Sequence, residues 1–175
     1  MLLSWTGSLA IALVEDGLQR GEQLALSVFN LPASAAIAKE RLQAAGHLDI
    51  EVVEGDFLRD PLPRGPLKQG YDRVLFSRVL TDWSPAVCKG LLEKAKLALA
   101  PGGRLVINEA FWEGNSDYVV SWEFRYIFYD TFGRVLFKSL RLMRTLLQES
   151  GFRVVSEAPM LDRAFYSVIV AEPVN

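Results

Sequence analysis

Apolar residues change rhythm several times along this chain, and each change marks a predicted element. Leu9, Ala12, Leu13 and Leu18 recur at helical spacing, which predicts a short helix starting near Ser8 and ending at the Gly17 to Gly21 breaks. Leu24 to Phe29 is continuously apolar apart from Ser27, the pattern of a strand covered on both faces, and Asn30-Leu31-Pro32 ends it. Ser34 is placed to cap a helix in which Ala35, Ile37, Ala38, Leu42 and Ala45 keep helical spacing until Gly46, and Ile50 to Val53 is the next strand. Prolines and glycines between Asp56 and Gly70 predict a surface loop leading into a buried strand, Tyr71 to Phe76. Ser84-Pro85 then opens a helix that runs to Pro101-Gly102-Gly103, with the strand Leu105 to Glu109 behind it. After an aromatic-rich stretch come a helix from about Leu140 to Ser150 and two strands, Phe152 to Glu157 and Phe165 to Ala171. Too few residues separate these last strands for a crossover helix, so they should pair antiparallel. The fold class this predicts is α/β: a Rossmann-like, doubly wound, mostly parallel sheet with a late antiparallel strand.

Composition narrows the chemistry without changing the fold. With 175 residues, 19 basic against 21 acidic side chains and half the residues hydrophobic, one domain over residues 1–175 with one sizeable core is expected. Cys88 and His47 are the sole cysteine and histidine, which excludes a disulfide framework and a His/Cys metal cluster. Arginines at 41, 73, 104 and 141 form no stripe that could neutralise a run of phosphates, so nucleic acid is not an expected partner. No apolar run reaches the roughly 20 residues of a membrane span, and the apolar start carries no basic leader, so a cytoplasmic protein is expected.

In an open parallel sheet, ligands sit beyond the carboxyl ends of the strands. The residues there are Asn30-Leu31-Pro32, Glu54-Gly55-Asp56-Phe57, Ser77 leading into Arg78-Val79-Leu80-Thr81-Asp82-Trp83-Ser84, and Ala100-Pro101-Gly102-Gly103-Arg104-Leu105-Val106-Ile107 ending at Glu109. In that order and spacing they resemble the motifs of S-adenosylmethionine-dependent O-methyltransferases of the small-molecule type, which includes the caffeic acid and hydroxyindole enzymes. The resemblance covers nearly the whole chain. It implies S-adenosylmethionine as cofactor, an apolar small-molecule hydroxyl as acceptor, and a homodimer. It also implies a helical dimerisation domain ahead of the first strand, and the chain opens at that strand without one.

Carried over residue by residue, the resemblance gives Gly7, Asn30, Asp56, Phe57, Ser77 and Trp83 to the cofactor, and Glu109 and Asp82 to catalysis. Each has a plainer alternative. Asp56 could cap a turn with Phe57 in the core, Asn30 could shape a turn, Asp82 could cap the following helix with Trp83 packed on it, and Glu109 could be a solvated strand end. Three positions depart from the family. The glycine-rich turn is reduced to Leu3-Ser4-Trp5-Thr6-Gly7, with Trp5 where a hydrogen normally clears the ligand. The ribose carboxylate is replaced by the amide of Asn30. Thr81 stands where the family has its histidine base, and a threonine hydroxyl is no base near neutrality. His47, between a helix and a strand away from the carboxyl ends, is no substitute. One of the two family glutamates matches Glu109, and the other falls near Val135. Tyr129 and Asp130 are the titratable pair of the aromatic stretch that runs from Trp112 to Phe132. That stretch suits an apolar acceptor pocket or a surface meeting a second chain.

The leading expectation is therefore methyl transfer to an apolar acceptor, driven largely by positioning. The alternative is a truncated or inactive relative acting in binding or assembly, which an upstream reading frame would distinguish. A nicotinamide-dependent oxidoreductase would need the Gly-x-Gly-x-x-Gly turn that is missing here.

Overall fold

The computed structural model describes residues 1–3, 7–65, 69–113, 137–159 and 166–174. Among them seven strands form one sheet in the order β3-β2-β1-β4-β5-β7-β6. The strands are β1 (Leu2–Leu3), β2 (Ser27–Asn30), β3 (Glu51–Glu54), β4 (Tyr71–Ser77), β5 (Leu99–Ala110), β6 (Phe152–Pro159) and β7 (Tyr166–Pro173). β1 to β5 pair parallel, and β7 runs antiparallel to both neighbours, as the short connection to β6 requires. The helices are α1 (Ser8–Gln19), α2 (Pro32–Ala44), α3 (Pro85–Ala98) and α4 (Leu140–Glu149).

Strand alternation divides the core between the two faces of the sheet. Leu2 and Val28 meet Ala10 and Val14 of α1 and Ala38 and Leu42 of α2 on one face. Leu3, Phe29, Phe76, Leu105 and Ile107 meet Leu91 and Leu92 of α3 and Met143 and Leu147 of α4 on the other. The central strands are therefore covered on both faces, as a parallel sheet demands. Among the described residues no helix is long and apolar enough to cross a membrane.

Three element starts differ from the sequence reading by three residues or more. β2 begins at Ser27 rather than Leu24 because the Leu24 side chain folds back over Gly17 of α1, where an added Cβ would stand 3.1 Å from it. α2 begins at Pro32 and not after Ser34; the proline ring pre-sets the first helical φ, and the chain enters through Leu31 with no side-chain cap. β5 starts at Leu99, opposite Tyr71, and crosses a register shift before Arg104 pairs with Arg73, so the Pro-Gly-Gly turn lies inside the strand. The ends that matter are level across the sheet: Leu3 pairs with Phe76, Asn30 with Glu54, and Ser77 with Asn108.

Candidate active site

The carboxyl edge around the switch point between β1 and β4 gathers the predicted residues. Gly7 precedes α1 with φ 77°, a left-handed conformation that L side chains enter at a cost, and its carbonyl accepts the first helical hydrogen bond from Ile11 at 3.1 Å. Its neighbour Trp5 lies outside the described residues. Asn30 ends β2 almost fully buried, and its Oδ1 accepts from the Leu31 amide at 2.9 Å. A ribose hydroxyl would have to share that oxygen. The Asn30 carbonyl also accepts from Gly55 N at 3.0 Å, which ties the ends of β2 and β3 together.

The loop after β3 is a self-bonded turn. Asp56 Oδ1 accepts from Leu58 N at 2.9 Å, Asp60 Oδ2 accepts from Asp56 N at 2.7 Å, and Arg59 approaches the Asp56 carboxylate at 3.6 Å. The capping reading of Asp56 is thus realised, which leaves its carboxylate at the edge of the same cleft. Lys94 of α3 closes the turn by donating to the carbonyls of Phe57, Leu58 and Asp60 at 3.0, 2.9 and 2.8 Å. Lys94→Met should therefore speed hydrogen exchange at the Arg59 and Asp60 amides and cost roughly 1–2 kcal/mol of stability. Unchanged exchange there would mean that the carboxylate bonds hold the turn alone. Phe57 is buried and meets Trp83 edge to face, with ring centroids 6.1 Å apart and planes at 77°. The turns after β3 and β4 thus touch through these two rings.

The segment after β4 is held more tightly still. Arg78 takes φ 56°, a left-handed conformation that costs an arginine about 1 kcal/mol or more, and turns the chain into a short 3-10 turn, Leu80–Asp82. Glu109, at the end of β5, reaches under this turn. Its Oε1 accepts from Val79 N at 2.6 Å and Leu80 N at 2.7 Å, and its Oε2 accepts from Thr81 Oγ1 at 2.6 Å. Glu109 is 2% exposed, so the solvated strand end weighed from the sequence is not what forms. From the other side Lys138 donates to the carbonyls of Leu80, Thr81 and Trp83 at 2.5, 3.3 and 2.5 Å. Lys138 is brought there by a parallel bridge to Phe111 just beyond β5, with Trp112 N donating to its carbonyl at 3.2 Å. The Cys88 thiol of α3 also faces the turn, donating to the Leu80 carbonyl at 3.3 Å. The helix that follows is capped by Ser84, whose Oγ accepts from Val87 N at 3.4 Å; Asp82 does not serve as that cap.

Burial dominates the electrostatics of this knot. It pushes the Glu109 carboxyl up to about 7, against the opposing pull of the Thr81 hydroxyl and the Leu80 and Val79 amides. It raises the Cys88 thiol to about 11, which leaves the thiol protonated and inert. It lowers Lys138 from the usual ammonium value, a trend resisted by Cys88, Glu109 and Asp82. Ser77 ends β4 buried, and its Oγ accepts from Asn108 Nδ2 at 3.1 Å, while Asn108 Oδ1 is buried with no partner among the described residues.

The structure therefore joins Asn30, the Asp56-Phe57 turn, Trp83, Asp82 and Glu109 into one continuous edge, with the Ser77 and Asn108 pair at the ends of β4 and β5. Gly7 stands beside α2, where a Cβ would lie 3.5 Å from Ala38. Lys94, Lys138 and Asn108 are site residues that the sequence reading missed. For Lys138 the signal was a single cation set between Phe137 and a capping serine in an apolar run. Trp112 is 39% exposed; the other aromatics of its stretch, with Tyr129, Asp130 and Val135, lie outside the described residues.

Comparison with known proteins fits this geometry. The model of the O-methyltransferase domain family matches residues 10–153. Demethylspheroidene O-methyltransferase of Rhodobacter capsulatus is 33% identical over 153 residues, which are 86% of this chain and 36% of that protein. The chain thus spans about a third of the length of that curated relative. An O-methyltransferase family 2 protein from Planctomyces limnophilus, solved in complex with apigenin, superposes with a TM-score of 0.75 at 25% identity, covering 99% of this chain and 50% of that one. An O-methyltransferase from neocarzinostatin biosynthesis, solved with S-adenosylmethionine and 2-hydroxy-5-methyl naphthoic acid, shares the fold at a TM-score of 0.76 and 22% identity over 99% of this chain and 48% of that one. With strand order, the edge at the switch point and the match over residues 10–153 in agreement, the chain belongs to the O-methyltransferase domain family.

Proposed function

We propose that this chain binds S-adenosylmethionine and transfers its methyl group to a hydroxyl of an apolar, flat small molecule. The observation that carries the reading is the joined edge of the sheet, where turns from β2, β3 and β4 meet at the switch point. The residues there suit the cofactor's chemistry. Asn108 Oδ1 is a buried acceptor in want of a donor, which an ammonium or hydroxyl group supplies. Phe57 and Trp83 offer apolar rings to an adenine, Asp56 and Asn30 offer oxygens to its amine and to ribose hydroxyls, and Gly7 places a residue without a Cβ at the start of α1. The molecules held in solved structures of similar fold, apigenin and 2-hydroxy-5-methyl naphthoic acid, support a flat hydroxylated acceptor.

When bound, S-adenosylmethionine supplies an electrophilic methyl group on a sulfonium. The chain's own contribution is placement: Glu109 and Lys138 fix the turn carrying Thr81, Asp82 and Trp83, and Lys94 fixes the turn carrying Asp56 and Phe57. Holding two reactants in line contributes roughly 7–11 kcal/mol when the geometry is right.

Isothermal titration with S-adenosylhomocysteine tests the reading. Saturable binding is expected, with about 2.7 kcal/mol of added stability at a hundredfold excess over Kd, or roughly 5–10 °C in Tm. Asp56→Ala should weaken binding by about tenfold, through the loss of a charge-assisted contact and of the turn's shape. A folded sample that gives neither heat nor a thermal shift would sink the proposal.

A further inference from the structure

The two oxygens of Glu109 have different partners. Oε1 is held by the amides of Val79 and Leu80, whereas Oε2 is addressed by Thr81 Oγ1 alone among the described residues. A hydroxyl has two acceptor lone pairs besides its proton. Thr81 spends its proton on Glu109, and among the described residues no donor is directed at its oxygen. Thr81 is also 8% exposed at the edge that the proposed function assigns to the reaction. A hydroxyl that already points its proton at a carboxylate, and has acceptor capacity to spare, has what the middle member of a proton wire needs.

We propose that Thr81 and Glu109 relay the acceptor's proton during methyl transfer, an inference that rests on the proposed function. The acceptor O–H bond breaks as its oxygen bonds to the methyl carbon, and that proton forms a new bond to Thr81 Oγ1. The original Thr81 O–H bond breaks in the same movement, and its proton goes to Glu109 Oε2. The electron pair of the broken sulfur–carbon bond stays on sulfur. The sulfonium becomes a neutral thioether while the carboxylate becomes a neutral acid, so net charge is unchanged. Thr81 thereby works at a position where a base is wanted without being one.

The charged and titratable groups facing Glu109 leave it as the acceptor. Lys138, from the segment before α4, has its donors committed to three carbonyls and keeps its protons. Cys88, from α3, is a thiol pushed to about 11. Asp82, on the turn itself, adds to the effect of burial, and the two together, against the pull of Thr81, Leu80 and Val79, bring the Glu109 carboxyl to about 7. A carboxylate poised there can take a proton near neutral pH and return it to solvent between turnovers.

The test uses 4-nitrophenol, whose deprotonated form absorbs visible light, mixed with the whole chain with and without S-adenosylhomocysteine. Infrared difference spectra are recorded alongside, the Glu109 acid band being assigned by its loss in Glu109→Gln. The expected result is phenolate absorbance in excess of that of the free phenol at the same pH, rising together with that acid band in the native protein and in Thr81→Ser, and neither excess nor band in Thr81→Val. Excess phenolate without the acid band, no excess at all, or equal signals in Thr81→Val would overturn the relay. In turnover of a hydroxynaphthoic acid, Thr81→Val should lose about 100-fold in kcat, with Thr81→Ser restoring most of it. The native kcat should rise with pH through a midpoint near 7 and level off above it, and Glu109→Gln should remove that rise. Coupled optical and infrared signals without methylation of any probe would support the relay and count against the transfer reading, so the two fail separately.

Discussion

Lys138→Met is expected to lower the free energy of unfolding by about 3–5 kcal/mol, measured as a shift in the denaturant midpoint at pH 7 with an unchanged slope. The lysine is 3% exposed, and its ammonium group satisfies the carbonyls of Leu80, Thr81 and Trp83. Methionine keeps the length and apolar stem, so little packing is lost. What disappears is the donor; the Leu80 carbonyl keeps the Trp83 amide and the Cys88 thiol, and each buried carbonyl left short of a partner costs on the order of 1–3 kcal/mol unless the turn opens to water. If the turn opens, the amides that Glu109 holds open with it, and the exchange of Val79 and Leu80 should quicken. A loss below about 1 kcal/mol, with those amides still protected, would show that Glu109 alone fastens the turn.

Glu109→Gln should change the pH dependence of stability in a defined direction. The carboxyl titrates at 4.5 in an unfolded chain and at about 7 in the folded one. Between those values the folded state holds the proton more tightly, so its contribution to stability is fully present below 4.5 and is lost as pH rises through about 7. Each tenfold difference in proton affinity between the two states is worth about 1.4 kcal/mol, so the loss is roughly 3 kcal/mol. Glutamine cannot ionise, yet its amide oxygen can still accept from Val79 and Leu80, and its amide nitrogen can donate to Thr81, whose hydroxyl turns to accept. Relative to the native protein, Glu109→Gln should therefore gain roughly 3 kcal/mol between pH 4 and 8, while groups common to both cancel. Parallel stability curves over that range would show that Glu109 stays ionised in the fold.

The sequence made most of the scaffold legible because its local signals agree with its packing. Ser84-Pro85 opens α3, Val74 and Phe76 of β4 are buried in the core as its apolar end predicts, and the short link after β6 forces an antiparallel partner. It misled where a tertiary contact overrode the local pattern: Leu24 looks like strand but closes over Gly17, and Ser34 looks like a cap but follows a proline already inside the helix. The site divides in the same way. Asn30, Asp56, Phe57, Asp82, Trp83 and Glu109 were readable since strand ends announce themselves and their order resembles a known family. Lys138 and Lys94 were not, because each grips a turn more than thirty residues away, a relation that no window along the chain contains.

Apart from the Thr81 hydroxyl, the contacts described for Glu109 and Lys138 on this turn are to main-chain atoms. Every residue type but proline carries the same amide and carbonyl, so the half-buried side chains at Asp82 and Trp83 can be exchanged without removing these bonds, whereas Leu80 is fully buried and belongs to the core. The turn behaves as a socket with a fixed mount and a replaceable lining. A scaffold built this way can change what its cleft accepts by single substitutions while keeping the foldedness on which any such change depends.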